Sequence, residues 1–205
     1  AGERASETYP DLDIRREVTV GHLLTDIETA PGIGGKVNPP IRSRADVEAL
    51  WDALSRGSVD WIVSDHACCR AERKFGEPAD DVFVAKAGFG GTEYLLTGVV
   101  TEAMKRSVPL GRVSALTALN PARRYGLATK GDIAVGLDAD LALVDPSRSW
   151  TVRAEDSEST QEYTPFEGYE MGCAVARTIL RGETVFENGR VVGEPRGRYL
   201  RRPQA

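Results

Sequence analysis

Apolar positions along this chain follow two different rhythms. Val47, Leu50, Trp51 and Leu54 recur at the i, i+3, i+4, i+7 spacing of one helix face, and Ser43 followed by Asp46 has the form of a helix start in which the two residues cap one another. The spacing predicts an amphipathic helix ended by Gly57. Before it, Glu17-Val18-Thr19-Val20 alternates like a strand, and residues 32–40 form a connection rich in glycine and proline. After it, Val59, Trp61, Ile62 and Val63 predict a strand that stops at Ser64-Asp65-His66. Residues 67–81 read as charged loop, Tyr94 to Lys105 as a helix, and Val113 to Leu119 as another. Asn120 is expected to cap a short helix with Pro121 at its first position and Gly126 at its close. The first fourteen residues are polar and weakly patterned.

Beyond Lys130 the rhythm changes. Ile133, Val135, Leu141, Leu143, Val144, Trp150 and Val152 lie in short strand-like runs broken by Gly, Asp and Pro, followed by Val175 to Leu180. Val185-Phe186 and Val191-Val192 then flank Asn188-Gly189, a dipeptide suited to a tight hairpin turn. The pattern therefore predicts an α/β segment over 1–129 and a small all-β segment over 130–205.

Composition narrows the class. The 205 residues are 41% hydrophobic and 28% charged, which suits a folded protein of one or two domains. No run approaches a membrane span and no signal peptide opens the chain, so a cytoplasmic protein is expected. The net charge of −5 argues against a nucleic-acid partner, and the one basic cluster, Arg196, Arg198, Arg201 and Arg202, reads as a solvated or interface-seeking tail. Three cysteines, two of them adjacent at Cys68 and Cys69, make no disulfide framework and no zinc-finger spacing.

Candidate chemistry gathers where the apolar strand ends. Parallel α/β folds present reactive groups at the C-terminal ends of their strands, and Asp65 with His66 occupies such a place. A carboxylate there can bind a metal and move a proton. It can equally cap a helix or serve an ion pair.

Five segments, taken in order, resemble one family. They are Lys36-Val37-Asn38-Pro39-Pro40-Ile41-Arg42, Ser64-Asp65-His66-Ala67, Ala87-Gly88-Phe89-Gly90-Gly91-Thr92-Glu93, Asn120-Pro121-Ala122-Arg123, and the stretch from Lys130 to Leu141. Together they resemble the cyclic amidohydrolases, the group of hydantoinase, dihydropyrimidinase, allantoinase and dihydroorotase, and the resemblance extends from Glu17 to the C-terminus. It implies the C-terminal part of a (β/α)8 TIM-like barrel followed by a small β-sandwich. It also implies a binuclear site for divalent metals, usually zinc, held by a His-x-His pair, a carboxylated lysine, two further histidines and one aspartate. Asp65 matches that aspartate, which binds one metal and acts as general base. Asn38 matches a position whose main chain contacts the cyclic amide, and Gly88, Phe89 and Gly90 match a backbone stretch lining the substrate pocket.

The departures matter as much. This chain has no His-x-His, and its two histidines do not match the missing ligands. His22 resembles a structural or pocket-edge residue, and His66 one that supports Asp65 from behind. A whole barrel needs roughly 250 residues, so the chain is expected to be part of a longer hydrolase or to meet its N-terminal half on another chain. Cys69 stands where dihydroorotases carry histidine, while the tail resembles hydantoinases and dihydropyrimidinases, whose tails pack on a neighbouring subunit. The implied protein is thus a homo-oligomeric hydrolase of a small cyclic amide, with a non-catalytic scaffold of the same superfamily as the alternative.

Overall fold

The computed structural model describes residues 2–30, 32–79 and 81–202. The polar opening contains a short helix, α1 (Gly2–Thr8), where the sequence pattern predicted no element. Strand β1 (Glu17–Thr19) then turns sharply into α2 (Val20–Leu24), because the Thr19 hydroxyl accepts the His22 N–H at 3.3 Å and caps the helix. Val20 therefore begins a helix instead of ending the strand.

The Ser43 signal produces its helix, α3 (Arg44–Ser55), with Ser43 giving its backbone N–H (3.2 Å) and its hydroxyl (2.5 Å) to the Asp46 carboxylate. Val47, Trp51 and Leu54 are buried along it, and the Trp51 indole N–H donates to the Leu23 carbonyl at 2.9 Å. Gly57, at φ 86°, takes the left-handed turn that ends the helix and leads to β2 (Trp61–Val63). β2 lies parallel to β1 with Val18 opposite Ile62, as a strand–helix–strand crossover requires.

The stretch read as charged loop holds a further helix, α4 (Ala71–Phe75); Asp80, within that stretch, lies outside the described residues. Helix α5 (Leu95–Lys105) buries Val99 and Ala103 completely and presents Gly98 to Leu24, where a Cβ would stand 2.4 Å from a leucine methyl. α6 (Leu110–Ser114), a π turn (Ala115–Leu119) and α7 (Asn120–Arg124) form one unbroken helical run. Asn120 is accordingly helical, at φ −66° and ψ −45°, and caps nothing; its amide donates to the Asp60 carbonyl at 2.7 Å. The wider π turn falls immediately before Pro121, which lacks an N–H and whose ring crowds the preceding turn.

In the β-rich part, β3 (Leu141–Asp145), β4 (Trp150–Thr151), β5 (Glu170–Met171), β6 (Ala174–Leu180), β7 (Glu183–Glu187) and β8 (Arg190–Val191) make two antiparallel sheets. One has the order β3-β6-β7-β8 and the other pairs β4 with β5. Asn188 (φ 51°) and Gly189 (φ 81°) are both left-handed, giving the hairpin between β7 and β8. Ile133 and Val135, expected in strands, are 82% and 107% exposed in a turn segment that bends at left-handed Gly131 and Gly136. A buried cluster ties this part to the helices: Phe166 packs on Phe89 and Tyr94, with ring centroids 5.8 and 5.1 Å away, and Cys173 lies buried against α5.

Candidate active site

Strand β2 delivers Asp65 to the surface two residues after Val63. Its backbone is left-handed, at φ 47°, a conformation that aspartate and asparagine tolerate better than most residues. The side chain is exposed, and among the described residues it forms no ion pair and caps no helix, α4 starting instead from Arg70. The two bland readings of this carboxylate are thereby removed.

Three loops meet beside it. The Ala67 N–H donates to the Phe89 carbonyl at 3.1 Å, and the Gly88 N–H donates to the Lys36 carbonyl at 2.9 Å. His66 adds a third stitch, its Nδ1 accepting from the Gly91 and Thr92 N–H groups at 3.3 Å each. A nitrogen that accepts is unprotonated, so in the neutral ring the hydrogen sits on Nε2 and leaves no lone pair there for a metal. His22 is spent in the same way. Its Nε2 donates to the Pro39 carbonyl at 2.9 Å, so in the neutral ring Nδ1 accepts from the Thr19 hydroxyl at 2.6 Å. It holds the loop next to Asn38, whose own side chain is exposed.

Residues 88–90 are buried and their polar groups are mostly committed. The Gly88 carbonyl takes the Lys74 ammonium at 2.6 Å, and the Gly90 N–H donates to Gln161 Oε1 at 2.8 Å. With the Gly88 N–H and Phe89 carbonyl also engaged, only the Phe89 N–H and the Gly90 carbonyl have no partner among the described residues. The Phe89 ring is 4% exposed and points into the core, wedged so close to Gly21 that a Cβ there would lie 2.7 Å from its Cζ. Any contact Phe89 makes with a ligand is therefore through its main chain.

With this geometry in view, comparison with known proteins is decisive. The model of the amidohydrolase family matches residues 12–185. The chain belongs to the amidohydrolase family. It is 42% identical over 193 residues to an allantoinase of Rubrobacter xylanophilus and 39% identical over 188 residues to a dihydroorotase of Halobacterium salinarum. These alignments cover 93% and 90% of this chain, but only 42% and 43% of those proteins. Its structure resembles that of an L-hydantoinase (dihydropyrimidinase) from Arthrobacter aurescens, with a TM-score of 0.80, 32% identity, and coverage of 91% of this chain and 42% of that one. The chain thus spans about two fifths of the length of the relatives it matches.

Among the described residues no three His, Cys, Asp or Glu side chains gather into a group that could hold a metal ion, and Asp65 stands apart from any such cluster. Cys68 is exposed and Cys69 half-buried, and among the described residues no third His, Cys, Asp or Glu gathers with them. Sequence reasoning missed Lys74 and Gln161. Lys74 lay hidden in a run of charge that looked like solvated loop, and Gln161 in a polar connection; neither carries a periodic signal. Burial pushes the Lys74 ammonium down to about 8. The Tyr163 hydroxyl, whose ring lies 5.7 Å from Lys74 Nζ, is pushed up by burial first and by Cys69 second.

Proposed function

We propose that the polypeptide carrying this chain is a hydrolase that opens the carbon–nitrogen bond of a small cyclic amide, and that the substrate is a hydantoin-type five-membered ring. The observation that carries the reading is the exposed Asp65 at the end of β2, without an ion-pair partner among the described residues, in a segment stitched to residues 89–92, whose neighbour Gly88 is bonded in turn to the loop of Asn38. Names of relatives support it, because allantoin is itself a hydantoin ring bearing a ureido group, so the allantoinase and hydantoinase likenesses converge on one ring. Residues 1–129 would form the C-terminal part of a (β/α)8 barrel and 130–205 part of a β-sandwich, in a cytoplasmic homo-oligomer.

Amidohydrolases generally use divalent metals, and zinc, when bound, would polarise the ring carbonyl and acidify the attacking water. Asp65 would be one of its ligands, alongside donors that the described residues do not supply. The same carboxylate would take the proton of the attacking water and return it to the departing ring nitrogen, which otherwise leaves as a poor anionic leaving group. The main chain at Asn38, the Phe89 N–H and the Gly90 carbonyl would orient the ring.

The test uses the longest natural polypeptide containing this chain, with its zinc content measured and allantoin, hydantoin, dihydrouracil and dihydroorotate offered in turn. Turnover of allantoin or hydantoin at least tenfold above dihydroorotate, lost on chelation and restored by zinc, is the expected result. A metal-loaded protein that opens none of these rings would replace this reading with that of a scaffold.

A further inference from the structure

Lys74 is the anomaly of the molecule. It is 0% exposed, yet among the described residues no carboxylate pairs with it. Its ammonium is held by the carbonyls of Lys36 (2.7 Å) and Gly88 (2.6 Å) and lies 5.9 Å from the Phe89 ring centroid and 5.7 Å from that of Tyr163. Carbonyl dipoles and ring faces compensate a buried cation only in part, which is why its proton is bound so weakly. An apolar side chain of similar length would cost the fold less. What the lysine supplies, and a methionine would not, is a pair of strong donors that draw two carbonyls from two loops onto one point.

Those carbonyls are not scattered. Lys36 stands two residues before Asn38, and Gly88 opens the buried stretch 88–90. On the other side of Phe89, Gln161 comes 71 residues along the chain to accept the Gly90 N–H at 2.8 Å, and is itself only 2% exposed. Gly90 admits it because it lacks a side chain: a Cβ there would stand 2.9 Å from Gln161 Oε1. The peptide groups flanking Phe89 are thus gripped from both ends while the Phe89 ring is wedged against Gly21 and Phe166.

We propose that Lys74 and Gln161 are positioning residues for ring binding, Lys74 locking the Asn38 loop to Gly88 and Gln161 locking Gly90, so that the Phe89 N–H and the Gly90 carbonyl are left free at a set distance for the amide of the substrate. This rests on the cyclic-amide reading above. Neither side chain touches the reacting atoms, and neither bonds to the Asp65 segment, which has its own stitches from Ala67 to Phe89 and from His66 to Gly91 and Thr92. The loss therefore falls on ring binding and spares the chemical step.

The experiment compares wild type, Lys74→Met, Gln161→Met and Gln161→Glu in the longest natural polypeptide, zinc-loaded, by steady-state kinetics on the ring that the wild type opens, with hydrogen exchange read at residues 89–91 and in α5. The two methionine variants are expected to raise KM at least tenfold with kcat within threefold, and to speed exchange at 89–91 at least tenfold while α5 is unchanged. Gln161→Glu, which keeps the accepting oxygen, is expected to restore KM to within threefold. A KM within twofold of wild type, or a fall confined to kcat, overturns the proposal, as does unchanged exchange at 89–91. Should Lys74→Met fail to fold, the Gln161 pair decides by the same criteria, and failure of both methionine variants to fold makes the two residues merely structural. A wild type that opens no ring overturns the functional reading and this proposal together, whereas an active wild type with indifferent variants overturns the positioning role alone.

Discussion

The Tyr169 hydroxyl donates to Glu102 Oε1 at 2.6 Å, joining the β-rich part of the chain to helix α5. Glu102 is nearly buried, and burial by itself would raise its carboxyl. The hydrogen bonds from Tyr169, Lys105 (2.9 Å) and Arg106 (3.1 Å) outweigh that and hold it below the usual carboxylate range. A depressed acid contributes stability above its unfolded value, about 4.3, and that contribution is lost as pH falls through the lower folded value. Tyr169→Phe is expected to cost about 1–3 kcal/mol in urea unfolding at pH 7, with the difference from wild type shrinking below pH 4. A difference that stays constant down to pH 2 would show that Glu102 is not the partner that matters.

Asp65 offers a cleaner test of chemistry than most carboxylates. Its left-handed backbone suits asparagine nearly as well, so Asp65→Asn removes charge without disturbing the turn. We expect kcat/KM for ring opening to fall about 10²–10⁴-fold and zinc content to drop, with the melting temperature of the metal-free protein unchanged. Retained turnover would remove Asp65 from the mechanism.

Gly21 is required for clearance, since it sits in α2 without left-handed geometry and faces the Phe89 ring. Gly21→Ala drives a Cβ to 2.7 Å from that ring, and the strain is expected to cost about 1–3 kcal/mol. Near-ultraviolet circular dichroism and thermal melting report it; an unshifted melting curve would mean that the ring yields freely.

Lys74 also predicts a pH signature in stability. Burial sets its folded value at about 8, below the roughly 10.4 of an unfolded lysine. The penalty for burying its charge is present in full below pH 8 and is relieved as pH rises toward 10.4, because there the unfolded chain binds the proton more. Wild-type stability is expected to rise relative to Lys74→Met between pH 8 and 10, in paired denaturant titrations. Parallel curves for the two proteins would place the Lys74 ammonium in contact with water.

Much of this protein is written locally. The Ser43–Asp46 cap, the apolar face of α3, the run from Trp61 to Val63 and the Asn188-Gly189 turn each depend on neighbours within a few residues, and the structure has them where the pattern predicts. The Ser64-Asp65-His66 stop likewise places a carboxylate at a strand end without knowledge of the fold. Asn120 is the instructive failure. Its sequence context suits a cap, but the helix before it continues through a π turn because Asn120 finds the Asp60 carbonyl beside β2. Ile133 and Val135 fail for the converse reason, as apolar residues whose two flanking glycines turn the chain away from any sheet.

The sequence by itself determined the elements with short-range causes and the family motifs, including Asp65, Asn38 and residues 88–90, because capping, periodicity and turn chemistry act within one or two turns of chain. Tertiary structure alone decided which groups of that set remain free to meet a ligand. Lys74 with Lys36 and Gly88, Gln161 with Gly90, and His22 with Pro39 are pairings across 14 to 71 residues. A hydrogen bond over such a span depends on where two loops come to rest, and no local pattern of polar and apolar residues encodes it.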